Sequence, residues 1–192
     1  MRIFLAGATG LIGERLVPLL VAGGHAVAGM TRSPGKADAL RALGAEPVVC
    51  DVFDPAALRV AAVAFRPDAV LHELTDLPDD AALLPEFAAP NARIRREGTR
   101  NLLEAARAAG ARRFLAQSVA WQLPGDAGAA VAELEQAVLA AHGVVLRYGQ
   151  FYGPGTYHEQ APSPPRVHVD EAARRTVEAL AAPSGVLTIV ED

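Results

Sequence analysis

The residues best suited to hold an anion cluster near the N-terminus, where Gly7, Gly10 and Gly13 recur at a spacing of three with Thr9, Leu11 and Ile12 among them. A turn without Cβ atoms that feeds a helix aims backbone N–H groups and the positive helix end at a pyrophosphate. Gly7 is expected to make the sharp turn, Gly10 to let phosphates approach the backbone, and Gly13 to let the helix pack on the strand before it. About 20 residues on, where a dinucleotide site for NAD carries a carboxylate for the ribose hydroxyls, this chain has Thr31-Arg32-Ser33, with Lys36 close behind. An arginine grips a 2′-phosphate with a charge-assisted fork that a carboxylate would repel, so the expected cofactor is NADP(H) rather than NAD(H). The competing explanation of these cations is a solvated basic turn.

Candidates for proton transfer lie further along, at His72, Ser118, Tyr148 and Tyr152. Imidazole titrates near neutral pH, and Glu73 follows His72 directly, but neighbours on an extended chain point to opposite faces and need not cooperate. A tyrosine without a nearby cation keeps a pKa near 10 and is a poor base at pH 7. Cys50 ends an apolar run and reads as a buried thiol, and the scattered histidines have no metal-ligand spacing, so no metal site is expected.

These groups need a scaffold, and the pattern supplies one. Apolar runs at 2–6, 26–30, 46–50, 68–71, 113–117, 144–148 and 186–190 read as strands, and helical spacing recurs at 11–22, 37–43, 55–63, 91–109, 131–141 and 170–181. Asn91 is read as an N-cap. Strands apolar on both faces, alternating with helices, predict an α/β fold, a Rossmann-type doubly wound parallel sheet of about seven strands with helices on both faces. Ligands of such sheets sit beyond the C-terminal strand ends. That rule gathers the glycine turn, Arg32, Asp51, His72, Ser118 and Tyr148 at one edge.

The length of 192 residues suits one such domain over 1–192, with 152–169 as a short substrate-side loop. A net charge of -4 gives no sign of a nucleic-acid partner, and apolar runs broken by Gly, Pro, His or charge predict no membrane span. A strand that begins at Arg2 leaves no room for a signal peptide, so a cytoplasmic location is expected.

The assembled residues resemble the extended and atypical short-chain dehydrogenase/reductases, of the NAD-dependent epimerase/dehydratase kind. The likeness rests on Gly7-Ala-Thr-Gly-Leu-Ile-Gly13, Thr31-Arg-Ser-Pro34, Asp51-Val52, Gly98-Thr-Arg-Asn-Leu-Leu-Glu-Ala-Ala106, Arg113-Phe-Leu-Ala-Gln-Ser118, Leu146-Arg-Tyr-Gly-Gln-Phe-Tyr-Gly-Pro-Gly-Thr156 and Val167-His-Val-Asp-Glu-Ala-Ala173. It implies that Asp51 and Val52 lie beside the adenine and that the 152–155 loop lies beyond the nicotinamide. It also implies a homodimer through helices at about 91–110 and 131–141, although the arginines there fit a solvated face equally well.

The chain departs from that family in its catalytic half. The family's tyrosine with a lysine four residues later is absent, since Lys36 is the only lysine and the two positions fall near Ala127 and Val131. Ser118 takes the first of the family's two serine positions and Val119 the second, and Arg95 replaces an asparagine. The C-terminal substrate region is strongly reduced. Three readings remain: an NADP-dependent oxidoreductase, epimerase or dehydratase of a small metabolite with substitute acid/base residues; a non-redox isomerase, cyclase or lyase; and a cofactor-binding sensor or scaffold.

Overall fold

The computed structural model of the chain describes residues 1–191. Strand β1 (Arg2–Ala6) leads through the glycine turn into helix α1 (Gly13–Ala22) and then β2 (Ala26–Thr31). Helix α2 (Ala37–Ala42), β3 (Glu46–Val49), α3 (Pro55–Phe65) and β4 (Ala69–His72) follow. Asp54 caps α3 by accepting the Ala57 N–H, with Pro55 at the first helical position.

The next helical rod comprises α4 (Ala88–Arg93), a π-helical segment Ile94–Gly98 and α5 (Thr99–Ala108). It begins before Asn91, which lies inside α4 rather than at its cap and accepts the Asp76 N–H at 3.2 Å. Strand β5 (Arg113–Val119), α6 (Gly125–Ala140), β6 (Val144–Tyr148), β7 (Gln150–Tyr152), β8 (Arg166–His168), α7 (Val169–Glu178) and β9 (Gly185–Ile189) complete the order. Helix α6 starts well before residue 131, because Pro124, Gly125 and Gly128 look like breakers in the sequence yet open the helix.

Seven parallel strands run in the order β3-β2-β1-β4-β5-β6-β9, and β7 pairs with β8 in a separate parallel ribbon. Alternation along each strand divides the core. Ile3, Leu5, Leu71, Leu115 and Leu146 face Leu16 and Leu20 of α1 and Ala172 and Ala173 of α7. Phe4, Val70, Phe114 and Val145 face Leu58 of α3, Leu102 of α5 and Leu134 of α6. The chain winds outward from β1 to β3, then returns beside β1 as β4 and winds the other way, so the reversal of strand order falls between β1 and β4. A crevice at their C-terminal ends is the place such sheets offer to ligands. Among the described residues no helix is long and apolar enough to cross a membrane.

Candidate functional site

The glycine turn is shaped by contacts between backbones. Gly7 has φ +92°, and a Cβ there would stand 2.7 Å from the Glu73 carbonyl oxygen at the end of β4. At Gly13 a Cβ would stand 2.0 Å from the Gly7 carbonyl oxygen. Gly10 differs: its φ is ordinary and the nearest atom to an added Cβ would be Gly7 O at 3.4 Å. The fold itself tolerates a side chain at Gly10, so its absence leaves open space on the outer side of the turn. The N–H groups of Leu11 and Ile12 have no partner among the described residues, and the first residue before α1 brings no side-chain cap. Open space, free donors and a helix N-terminus fit a pyrophosphate.

Around the turn, Thr9 Oγ1 meets Thr31 Oγ1 at 3.1 Å, Thr31 Oγ1 accepts the Ser33 N–H, and Lys36 Nζ donates to the Thr9 carbonyl at 3.3 Å. Arg32 reaches outward and pairs with Asp76 at 3.0 Å, its side chain largely exposed. Asp51 is exposed and accepts the Phe53 N–H, whereas Val52 is buried and its carbonyl accepts from Asn101 at 2.9 Å. A groove of about 520 Å³, lined in part by Thr9, Glu14, Lys36 and Leu40, opens between the turn and α2.

Arg15 of α1 holds the turn to the C-terminal part of the chain. Its guanidinium donates to the Leu11 carbonyl at 2.8 Å, to the Pro154 carbonyl at 2.5 Å and to Asp170 of α7 at 2.7 Å. The loop that includes Pro154 is held from the other side by the Tyr157 hydroxyl, which donates to the Pro78 carbonyl beyond β4. The 152–155 segment is thereby set over the glycine turn, with Gly155 close to Leu11.

Each proton-transfer candidate has protein partners. His72 is fully buried; its Nδ1 accepts the Leu74 N–H at 3.3 Å, which leaves Nε2–H to donate to Thr99 Oγ1 at 3.0 Å. Burial, with a contribution from the positive Arg95, lowers its pKa to about 3, so the imidazole is neutral. The Ser118 hydroxyl donates to Glu135 at 2.6 Å, and Arg147 grips the same carboxylate with a fork at 2.9 and 2.6 Å. Tyr152 donates to Glu191 at 2.6 Å, and that carboxylate raises the phenol's pKa.

Tyr148 belongs to a buried chain whose protons can be counted. Glu73 Oε1 lies 3.2 Å from the Tyr148 hydroxyl, which lies 2.6 Å from Thr176 Oγ1, which lies 2.7 Å from the Ala172 carbonyl. The carbonyl brings no proton, so Thr176 donates to it and Tyr148 donates to Thr176. The proton between Tyr148 and Glu73 must then come from Glu73, whose carboxyl is neutral. Burial pushes its pKa up to about 8, and its Oε2 has no partner. His72 and Glu73 point to opposite sheet faces, one toward α5 and the other toward α7.

With this geometry in view, a family model for NAD(P)H-binding proteins matches residues 7–150. The chain belongs to the NAD(P)H-binding family. A Streptomyces protein named 3-diazoavenalumate denitrifying reductase is 45% identical over 184 aligned residues, covering 81% of this chain and 58% of that protein. The chain therefore spans less than two thirds of this curated relative. Among solved structures, the UDP-glucose 4-epimerase of Thermus thermophilus, in complex with NAD, is 20% identical and superposes with a TM-score of 0.80 over 99% of this chain and 78% of the epimerase. The Thermotoga maritima UDP-glucose 4-epimerase, with UDP-glucose, is 21% identical with a TM-score of 0.81, over 99% and 77% of the two chains. At that identity the epimerases share the fold, and the expected epimerase/dehydratase-like Rossmann architecture is borne out.

Arg15, Thr176 and the Glu135–Arg147 pair escaped the sequence reading. The Arg15 partners Pro154 and Asp170 are far away in the chain, and no spacing rule marks the contacts of the others.

Two outcomes follow from this geometry. Gly13→Ala should cost on the order of 3 kcal/mol in urea unfolding, since a Cβ meets backbone, whereas Gly10→Ala should leave stability within about 1 kcal/mol and weaken NAD(P)H binding about tenfold or more; equal effects on stability would refute the distinction. The second concerns pH. Folded Glu73 keeps a proton that the unfolded chain releases above its ordinary pKa of 4.5, so its contribution is full below that pH and is lost as pH rises toward about 8. His72 acts oppositely, its contribution being full above 6.5 and lost as pH falls toward about 3. Of the two, only Glu73 contributes a slope between these pH values of 6.5 and 8, about 1.4 kcal/mol per pH unit at most. In Glu73→Gln that decline in urea midpoint should disappear, and an unchanged decline would show that Glu73 is ionised in the folded chain.

Proposed function

We propose that this chain is a cytoplasmic NADP-dependent reductase of a small metabolite, working without a tyrosine–lysine acid/base pair. The observation that carries the reading is the cradle itself: free Leu11 and Ile12 N–H groups, open space at Gly10, and the cations Arg32 and Lys36 at the β2 exit. In this reading Gly7, Thr9, Gly10, Leu11, Ile12 and Gly13 receive the pyrophosphate, Asp51 and Val52 flank the adenine, and Arg32, Ser33 and Lys36 receive the 2′-phosphate. Asp76, now the partner of Arg32, competes with that phosphate for the guanidinium. The nicotinamide, when bound, supplies a hydride. The name of the 45% identical relative, a reductase, supports redox chemistry over epimerisation.

The protein's own part is alignment and exclusion of water. Arg15 and Tyr157 hold the 152–169 loop over the crevice, and His72 and Ser118 stiffen its floor. Each of His72, Ser118, Tyr148 and Tyr152 is engaged with a protein partner, so a group that delivers the proton balancing the transferred hydride must first give up or share that contact. We also propose a homodimer through α4, α5 and α6. Arg96 already pairs within the chain, with Asp126 and Glu133, which leaves Arg100 and Arg107 exposed on that face.

The same engagement of every acid/base candidate favours a second reading, cofactor binding without turnover. NADPH and NADH titrations on wild type and Arg32→Asp separate the possibilities. The expected result is a tenfold or greater loss of NADPH affinity in the variant with NADH affinity kept; unchanged NADPH affinity would overturn the 2′-phosphate assignment. Oxidation of bound NADPH by a member of a carbonyl and diazo panel distinguishes a reductase from a sensor. Tyr152→Phe should then keep its rate within about tenfold, since loss of a general acid costs about a hundredfold or more.

A further inference from the structure

Arg95 is a cation near this crevice with no partner among the described residues, whereas Arg32 holds Asp76 and Lys36 a carbonyl. It lies in the π-helical segment Ile94–Gly98, an irregularity that breaks the α4–α5 rod. Four residues before it, Asn91 accepts the Asp76 N–H, and four residues after it, Thr99 meets His72. The face that carries all three is therefore turned to the 72–76 segment where β4 ends. The positive charge of Arg95 is felt by the buried His72, as adjacency requires.

Its neighbours in sequence are paired: Arg93 with Glu97 at 2.7 Å, Arg96 with Asp126 at 2.7 Å and with Glu133 at 2.8 Å. Arg95 makes no hydrogen bond or ion pair among the described residues, although it is half-buried and burial disfavours its charge. The carboxylates near β4 are already committed. Asp76 holds Arg32, and Glu73 is neutral and faces the other side of the sheet. A guanidinium does not lose its proton in proteins, so in the free chain the cost of its partial burial is offset by no protein partner. No nitrogen of Arg95 is among the sealed unpaired atoms, which leaves the group open to a ligand. By strand order it belongs to the β4–β5 half of the crevice, across the switch point from the β2 exit where Arg32 stands.

We propose that Arg95 is a substrate-binding residue that receives a carboxylate of the small substrate. This rests on reading the crevice as a reductase site, and it makes the substrate an anion. A planar carboxylate matches the guanidinium fork and supplies the charge that the fold omits.

The test uses benzoate as the probe and benzamide as its uncharged match, titrated calorimetrically into the chain with and without saturating NADP. Benzoate should bind at least tenfold more tightly than benzamide, and Arg95→Gln should abolish that preference while NADP affinity stays within threefold. Arg95→Met should raise the melting temperature, because it removes an uncompensated charge; an arginine with a purely structural role would lower it. Equal binding of benzoate and benzamide, or a preference that survives in Arg95→Gln, overturns the proposal. A loss of NADP affinity in Arg95→Gln would assign the residue to a cofactor phosphate instead and also overturns it. Failure of wild type to bind NADP at all counts against the reductase reading alone, because the benzoate titration without NADP still reads Arg95.

Discussion

Three backbone segments meet at the head of the sheet with no room for a side chain between them, and the candidate site is organised around that contact. The carbonyl of Glu73 faces Gly7, and the carbonyl of Gly7 faces Gly13, so the glycine turn is wedged between the residue that follows β4 on one side and the start of α1 on the other. Parallel strands β1 and β4 are neighbours only because the chain reverses its winding there. The close approach brings the helix N-terminus and its free N–H groups over the point where the crevice opens, where a dipole and unpaired donors have the greatest effect on an anion. A methyl group in either gap would move the helix away from the sheet and spoil both.

Glu73 links this contact to the other half of the molecule. Its main chain is the wall against Gly7, while its side chain reaches Tyr148 of β6 and, through it, Thr176 of α7. Arg15 makes a parallel connection along the surface, from the Leu11 carbonyl to Pro154 and Asp170. A neutral buried chain and an exposed charged clamp thus fix α7 and the 152–155 loop relative to the turn. The buried chain demands a proton on Glu73 because every other donor in it is already used. A carboxyl kept neutral there also places no negative charge below the glycine turn.

The turn was legible in the sequence because its information is local: glycines at fixed spacing between a strand and a helix specify its geometry. Strand and helix identities followed from periodicity for the same reason. The rod at α4 and α5 was legible in type and misread at its start, since Asn91 has the chemistry of a cap but serves the Asp76 N–H from inside the helix. The opening of α6 was hidden by Gly125 and Gly128, residues that ordinarily end helices; Gly128 is required because a Cβ there would stand 2.0 Å from the Leu123 carbonyl oxygen. The protonation of Glu73 and the clamp at Arg15 depend on residues more than a hundred positions apart or on burial, neither of which spacing encodes. The arginine run from 93 to 107 read as a solvated face, and for Arg93 and Arg96 the pairing fits that view. Arg95, in the same run, has no such partner among the described residues.

The cations at the strand ends then form a graded series. Arg15 is fully engaged with Asp170 and two carbonyls, Lys36 has only a carbonyl, Arg32 has an exposed link to Asp76, and Arg95 has none. Engagement falls from the residue that holds the fold together to the residues that face the crevice. A chain selected only for stability would pair or replace the last of these, because uncompensated charge opposes burial. Cations left with few or no protein partners along the crevice would instead lower the energy of a complex with an extended anion relative to the free chain. Any ligand that supplies negative charge at these positions binds the folded state and not the unfolded one, and so stabilises the fold in proportion to its occupancy. Stability that the sequence forgoes at Arg95 would, under the proposed role, be coupled to binding.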